Sequence, residues 1–203
     1  MCISPRQQGM TLIELIVFIV IVSVALAGVL TVLNVTTKSS ADPMIRKQML
    51  AIAEALLEEV QAQSFTWCDP NDRSAATARG ATLDATATDV TKCWDKIEVT
   101  GPDTIAGVPE TRSSATTPFD NVNDYTVTAA SPLVLASPIP NVSGGNSAPA
   151  GYGATVLVAT AVLNGLGGPP NSPSLLITVT VTHGADSIVL EGYRTRYSPN
   201  FLP

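Results

Sequence analysis

Gly9–Leu33 reads GMTLIELIVFIVIVSVALAGVLTVL, and Glu14 is the only charged residue in it. From Leu15 to Leu33 only Ser23, Gly28 and Thr31 interrupt an aliphatic sequence. At about 1.5 Å rise per residue, a helix of this length is long enough to cross the core of a bilayer. A core helix of a soluble domain would concentrate its apolar residues on one face, whereas here they surround the axis. The reading is therefore a membrane span. Its flanks differ from those of an ordinary secretory signal. The preceding MCISPRQQG carries one cation, Arg6, and no small-x-small site follows, since Asn34, Val35 and Thr36 come next. Glu14, a carboxylate at the edge of an apolar span, is costly when unpaired and reads as functional, with a partner to be found.

The register Gly9-Met10-Thr11-Leu12-Ile13-Glu14-Leu15, followed by the aliphatic run, resembles the type IV prepilin cleavage and methylation motif. The resemblance implies cleavage after Gly9 by a prepilin peptidase/methyltransferase on the cytoplasmic face, and N-methylation of the new amine at Met10. Most family members carry Phe at that position, so Met10 is a departure. Glycine suits the cleavage site because a backbone without a side chain can enter a protease cleft closely. Arg6 holds the leader in the cytoplasm by the positive-inside rule, although Lys38, Arg46 and Lys47 lie beyond the other end. The resemblance further implies that Glu14 and Thr11 serve assembly. In a stack of helices, Glu14 would face the Met10 amine of a neighbouring subunit, a pairing strengthened by low dielectric.

Asp42-Pro43 is expected to interrupt the helix, with Asp42 capping a second one. Beyond it, Ile45, Met49, Ile52, Leu56 and Val60 recur at helical spacing and read as a core-facing stripe. Ser39–Val60, with its SADPM and AIAEALLEE patterns, is similar to minor pilins of the mannose-sensitive haemagglutinin pilus family. This implies a leader at 1–9, a transmembrane and assembly helix at 10–37, an amphipathic helix at 38–65 and a β-rich periplasmic or extracellular domain at 66–203. The expected fold class is α+β, a long N-terminal helix packed on a C-terminal antiparallel sheet.

Four segments rich in Val, Thr, Ile and Tyr read as strands: Asp124–Thr128, Thr155–Leu163, Leu175–Thr182 and Ser187–Arg196. His183-Gly184-Ala185-Asp186 reads as a hairpin turn, with His183 an exposed loop residue. The Pro- and Gly-rich stretches 132–153 and 164–173 read as long connections. Ser74–Thr91, rich in Ala, Thr and Asp, reads as a loop flanked by Cys68 and Cys93. Cys2 would leave with the leader. The two remaining thiols, in an oxidising compartment, are expected to pair.

The chain has 203 residues, with Lys+Arg 11 and Asp+Glu 17, so its formal net charge is 11 − 17 = −6. That balance argues against nucleic-acid binding, which needs basic patches. One histidine, His183, precludes a multi-His metal site, and few titratable groups are available for acid–base chemistry. Asp69-Pro70-Asn71-Asp72 offers oxygens of the kind Ca²⁺ takes, but lacks the spacing of a calcium loop and reads as a turn. Ser143-Gly144-Gly145-Asn146 lacks the context and lysine of a phosphate loop. No catalytic residue, metal or cofactor is expected.

The resulting expectation is a minor structural subunit of a type IV pilus, aiding pilus assembly, surface attachment or motility. A type II secretion pseudopilin shares the leader and helix and is the first alternative. The second is a pilus-displayed adhesin, with Tyr152, Tyr193 and Tyr197 exposed to stack on a sugar. The partners implied are other major and minor pilins, in a homo- or hetero-oligomeric filament, and the inner-membrane assembly platform. The expected location is the bacterial inner membrane before assembly, single-pass with a cytoplasmic N-terminus, and the pilus at the cell surface afterwards.

Overall fold

The computed structural model describes residues 9, 11–84, 86, 88–145, 148–163, 165, 172–197 and 200, with backbone alone for 35–42. The leader before Gly9, Met10 and most of the expected connection 164–173 lie outside the described residues. The chain divides into two compact units, Met1–Ile45 and Arg46–Pro203. Their elements give an α+β layout: a long N-terminal helix, then a C-terminal antiparallel sheet.

Helix α1 runs Leu12–Ala62 with Pro43 inside it. The expected interruption at Asp42-Pro43 is therefore not found. A proline removes one amide donor from the ladder, and the helical backbone continues through it into the strongly helix-forming run Met44–Ala62.

In the second unit α1 buries Met49, Ala53, Leu56 and Val60. This row is the helical stripe of the sequence with Ala53 at its centre and Ile52 only half-buried. A small residue at the centre allows close approach to neighbouring elements.

Two short strands follow, β1 (Thr104–Ile105) and β2 (Val108–Pro109), joined by Ala106 and Gly107, both at positive φ. After a 3₁₀ turn at Val122–Tyr125 comes the main sheet. Its strands are β3 (Thr126–Thr128), β4 (Ser131–Leu135), β5 (Tyr152–Thr160), β6 (Ser174–His183) and β7 (Asp186–Thr195). They lie in chain order β3-β4-β5-β6-β7, every pair antiparallel. Consecutive antiparallel strands need only hairpin connections, which is the cheapest topology for a chain with β-rich segments this close together.

The alternation of the strand sequences sets which face is buried. Tyr152, Ala154, Val156 and Val158 of β5 and Leu175, Ile177, Val179 and Val181 of β6 are buried, while the threonines between them point away. Gly192 on β7 lets the helix lie close to the sheet. A Cβ there would come within 3.0 Å of Leu57 Cδ1 and 2.5 Å of the Gln61 side-chain nitrogen.

Three expectations need correction. The first strand begins at Thr126, because Asn121 caps the 3₁₀ turn that occupies Val122–Tyr125. The expected connection 132–153 contains most of β4, since Leu133, Val134 and Leu135 pair with Val156, Thr155 and Ala154. His183 is no exposed loop residue. It closes β6 opposite Asp186, and its ring lies 4.5 Å from that of Tyr152.

Candidate functional site

Two regions carry chemistry: the first turns of α1 and a group of carboxyls beneath the loops of the second unit.

Leu12–Asn34 has mean hydropathy 3.0 and none of it is buried within the structure. Leu12, Phe18, Ile21, Val24, Leu30 and Val32 are all more than half exposed, on every side of the helix. So much apolar surface requires an environment other than water. The hydroxyls in this stretch are satisfied by the helix itself. Ser23 donates to the Ile19 carbonyl at 2.7 Å and Thr31 to the Ala27 carbonyl at 2.8 Å. In a bilayer or a helix bundle, that removes the cost of an unpaired hydroxyl.

The start of the helix has its own logic. Thr11 precedes the first helical residue, and its Oγ1 accepts a hydrogen bond from the Glu14 amide at 3.4 Å. Thr11-Leu12-Ile13-Glu14 thus has the spacing of a capping box, and Glu14 stands in the first turn where the helix dipole favours an anion. Gly9 is exposed, with open space where a side chain would lie.

In the second unit a disulfide joins Cys68 and Cys93, with their Cα atoms 5.4 Å apart. It sits in a small apolar cluster with Ala75 and Ala78, against Trp67 and Ile97. Next to it, Asp69 and Asp72 act as turn residues. Asp69 Oδ1 accepts from the Asn71 amide at 2.7 Å, and Asp72 accepts from the amides of Ser74, Trp94, Asp95 and Lys96. Lys96 Nζ lies 2.5 Å from Asp69 Oδ2 and 3.2 Å from Asp103 Oδ2.

A second set of carboxyls was not legible in the sequence. Oxygens of Glu110, Asp120 and Asp124 all lie within 4.8 Å of one another. The β1–β2 hairpin delivers Glu110, whose amide donates to the Asp103 carbonyl at 2.8 Å. The cap of the 3₁₀ turn delivers the other two: Asp124 Oδ2 accepts from the amides of Asn121 at 2.8 Å and Asp120 at 3.1 Å. Asp120 Oδ2 also accepts from Asn71 Nδ2 at 2.6 Å. Burial, aided by the neighbouring Asp120 and Asp69, pushes Glu110 up to about 7. Burial, then Asp69, pushes Asp120 up to about 6. Burial takes Asp124 up to about 8 despite the amide of Asn121, and Glu110 adds to the rise. These residues are spread over loops with no periodic spacing that would mark them in the sequence.

Of the tyrosines expected at the surface, Tyr152 is buried and gives its hydroxyl to Gln48 Oε1. Tyr193 and Tyr197 are exposed.

The family model of the prokaryotic N-terminal methylation motif matches residues 4–30. No curated protein and no solved structure shows a significant match to the chain. The motif and the apolar helix together support a type IV pilin-like protein, a subunit of pilin or pseudopilin type, and fit membrane anchoring before assembly. The motif implies processing by a prepilin peptidase and assembly with other pilins, which is structural rather than catalytic work.

Proposed function

We propose that this chain is a minor subunit of a type IV pilus of the mannose-sensitive haemagglutinin kind. Its work is assembly. The leader is removed between Gly9 and Met10, Met10 is N-methylated, and the apolar helix moves from the bilayer into the core of a filament. Glu14 pairs there with the Met10 amine of an adjoining subunit, and Thr11 caps the helix that presents it. The observation that carries the reading is a methylation motif at residues 4–30 joined to a helix, Leu12–Asn34, with no buried surface of its own. The choice of pilus subfamily rests on the resemblance of Ser39–Val60 to its minor pilins.

Purified surface filaments test the proposal. Mass spectrometry should find this chain beginning at methylated Met10, with residues 1–9 removed. An intact leader in assembled filaments would refute it. Absence from sheared pili, together with loss of protein export in a deletion strain, would assign the chain to a secretion pseudopilus instead.

A further inference from the structure

We infer that Glu110, Asp120 and Asp124 form a calcium site in the globular unit. Glu110 is 2% exposed, and neither carboxylate oxygen has a hydrogen-bond partner. A buried carboxylate with both oxygens unmatched is rare, because such groups are ordinarily paired or coordinate a metal. Asp124 repeats the pattern in part. It is 1% exposed, and Oδ2 is occupied by two amides while Oδ1 has no partner.

Among the described residues, no Lys, Arg or His forms an ion pair with any of the three, and Lys96 is engaged by Asp69 and Asp103. The helix-side Arg112 is taken by Glu59. Three carboxylates drawn together are relieved either by taking up protons or by a cation from outside, and the unmatched oxygens of Glu110 and Asp124 leave room for the cation.

The donor set selects the ion. Oxygen-only, carboxylate-rich sites suit hard cations and offer nothing to the softer metals that prefer thiolate or imidazole. Oxygens around one Ca²⁺, at 2.3–2.6 Å from the ion, span up to about 5 Å across the shell, whereas the Mg²⁺ shell spans about 4 Å. Oxygens that all lie within 4.8 Å of one another fit inside the calcium shell, and calcium's flexible geometry accepts an irregular, largely buried set where Mg²⁺ demands a near-ideal octahedron and keeps its waters. Asp120 is only half-buried and gives the ion a way in. Bound there, calcium would tie the end of the β1–β2 hairpin to the cap of the 3₁₀ turn.

The test uses the full chain in detergent micelles, stripped with a chelator and then freed of it. Calcium chloride alone should bind at one site, with a dissociation constant on the order of 10⁻⁴ M, and about 5 mM should raise Tm by about 5–9 °C. Glu110→Gln keeps the shape and removes the charge without breaking a hydrogen bond. It should fold, melt no lower than wild type without calcium, and lose both the Tm increment and at least about tenfold in affinity. Asp120→Asn, at a half-buried position, should weaken binding similarly. A wild-type chain that shows neither binding nor a Tm shift would overturn the inference. So would a calcium response unchanged in both variants, which would place the ion elsewhere. An equal response to magnesium chloride would overturn the choice of ion.

Discussion

Arg112 holds Glu59 through two parallel hydrogen bonds, Nε to Oε1 at 2.7 Å and Nη2 to Oε2 at 2.6 Å. The arginine side chain is 8% exposed and the glutamate 18%, so this is an ion pair largely removed from water. It fastens the loop after β2 to the end of α1. Around it, Tyr125 donates its hydroxyl to Glu59 Oε1 at 2.8 Å, and Arg112 donates a third bond to the Pro140 carbonyl at 2.5 Å.

Removing one partner should therefore cost far more than removing both. Glu59→Leu leaves a buried guanidinium without its counter-ion and should lower stability by about 3–5 kcal/mol. The double change Glu59→Leu with Arg112→Met should recover most of that loss, because two apolar side chains leave no buried charge behind. Thermal unfolding of the four proteins in a double-mutant cycle measures the coupling. A cycle in which the two single losses simply add would show that the pair is inconsequential.

The disulfide should carry a comparable share. Cys68 and Cys93 close a loop of 25 positions, for which chain entropy gives roughly 3 kcal/mol. Cys68→Ser with Cys93→Ser should lower Tm by about 6–12 °C, taking 2–4 °C per kcal/mol for a chain of this size. Proteolysis without reductant should release one cross-linked peptide pair containing both cysteines. Complete alkylation of both thiols in unreduced protein would contradict the bond.

Asp72 gives a pH dependence with a definite sign. Its carboxyl lies below the ordinary aspartate value: burial pushes it up, but the amides of Asp95, Lys96, Ser74 and Trp94 outweigh that. A carboxyl with a depressed folded pKa stabilises fully above its unfolded pKa of about 4. That stabilisation is lost as pH falls below about 4, toward the folded pKa. Asp72→Asn turns an acceptor of four amides into a group whose NH₂ faces donors. It should cost about 1.5–3 kcal/mol at neutral pH, and the difference from wild type should shrink below about pH 4. Thermal melts of both proteins at neutral and acid pH would show this; a difference independent of pH would remove Asp72 from acid sensitivity.

Gly101 is a backbone requirement. Its φ is +102°, and a Cβ would lie 2.8 Å from the Val127 carbonyl oxygen, an atom fixed in strand β3. Its amide donates to the Asn123 carbonyl at 3.0 Å, so the residue cannot easily rotate away. Gly101→Ala should cost about 1–3 kcal/mol, read as a lower Tm. An unchanged Tm would mean that the β3 edge yields without penalty.

What the sequence made legible was whatever repeats locally. The apolar span shows in all but three of the residues from Leu15 to Leu33, and strand β6 shows in the alternation of Ile177, Val179 and Val181 with threonines. The β6–β7 hairpin followed from Gly184 and Ala185 between two β-rich runs. Strand β4 was hidden because Pro132 and Pro138 bracket a short apolar run, which resembles a connection until β5 lies beside it. Pro43 misled in the opposite direction, since a proline's effect on a helix depends on the flanking turns as well as on its own missing amide. The carboxyl group of Glu110, Asp120 and Asp124 arises from tertiary convergence alone, and no spacing in one dimension encodes it.

The assembly role proposed for Glu14 makes the last prediction. In the structure Glu14 stands in the first turn of α1, its amide held by Thr11, with the apolar helix running on behind it. If its carboxylate meets the Met10 amine of a neighbouring subunit, then Glu14→Ala should leave cleavage and membrane insertion intact, because an apolar residue inserts more readily. Incorporation into filaments should fall sharply, since the neighbour's amine would be buried without a counter-charge. Glu14→Gln separates charge from shape, because the side chain keeps its size and can still form hydrogen bonds. A requirement for charge predicts that Glu14→Gln behaves like Glu14→Ala, whereas a requirement for polarity alone predicts wild-type behaviour. Thr11→Ala provides the control for helix geometry. It removes the cap, which is worth about 1 kcal/mol, but leaves the charge, so it should reduce filament entry less than either change at Glu14. Immunoblots of sheared filaments beside membrane fractions measure all of these outcomes. Wild-type incorporation of both Glu14 variants would reduce the residue to an anion favoured by the helix dipole, with no part in joining subunits.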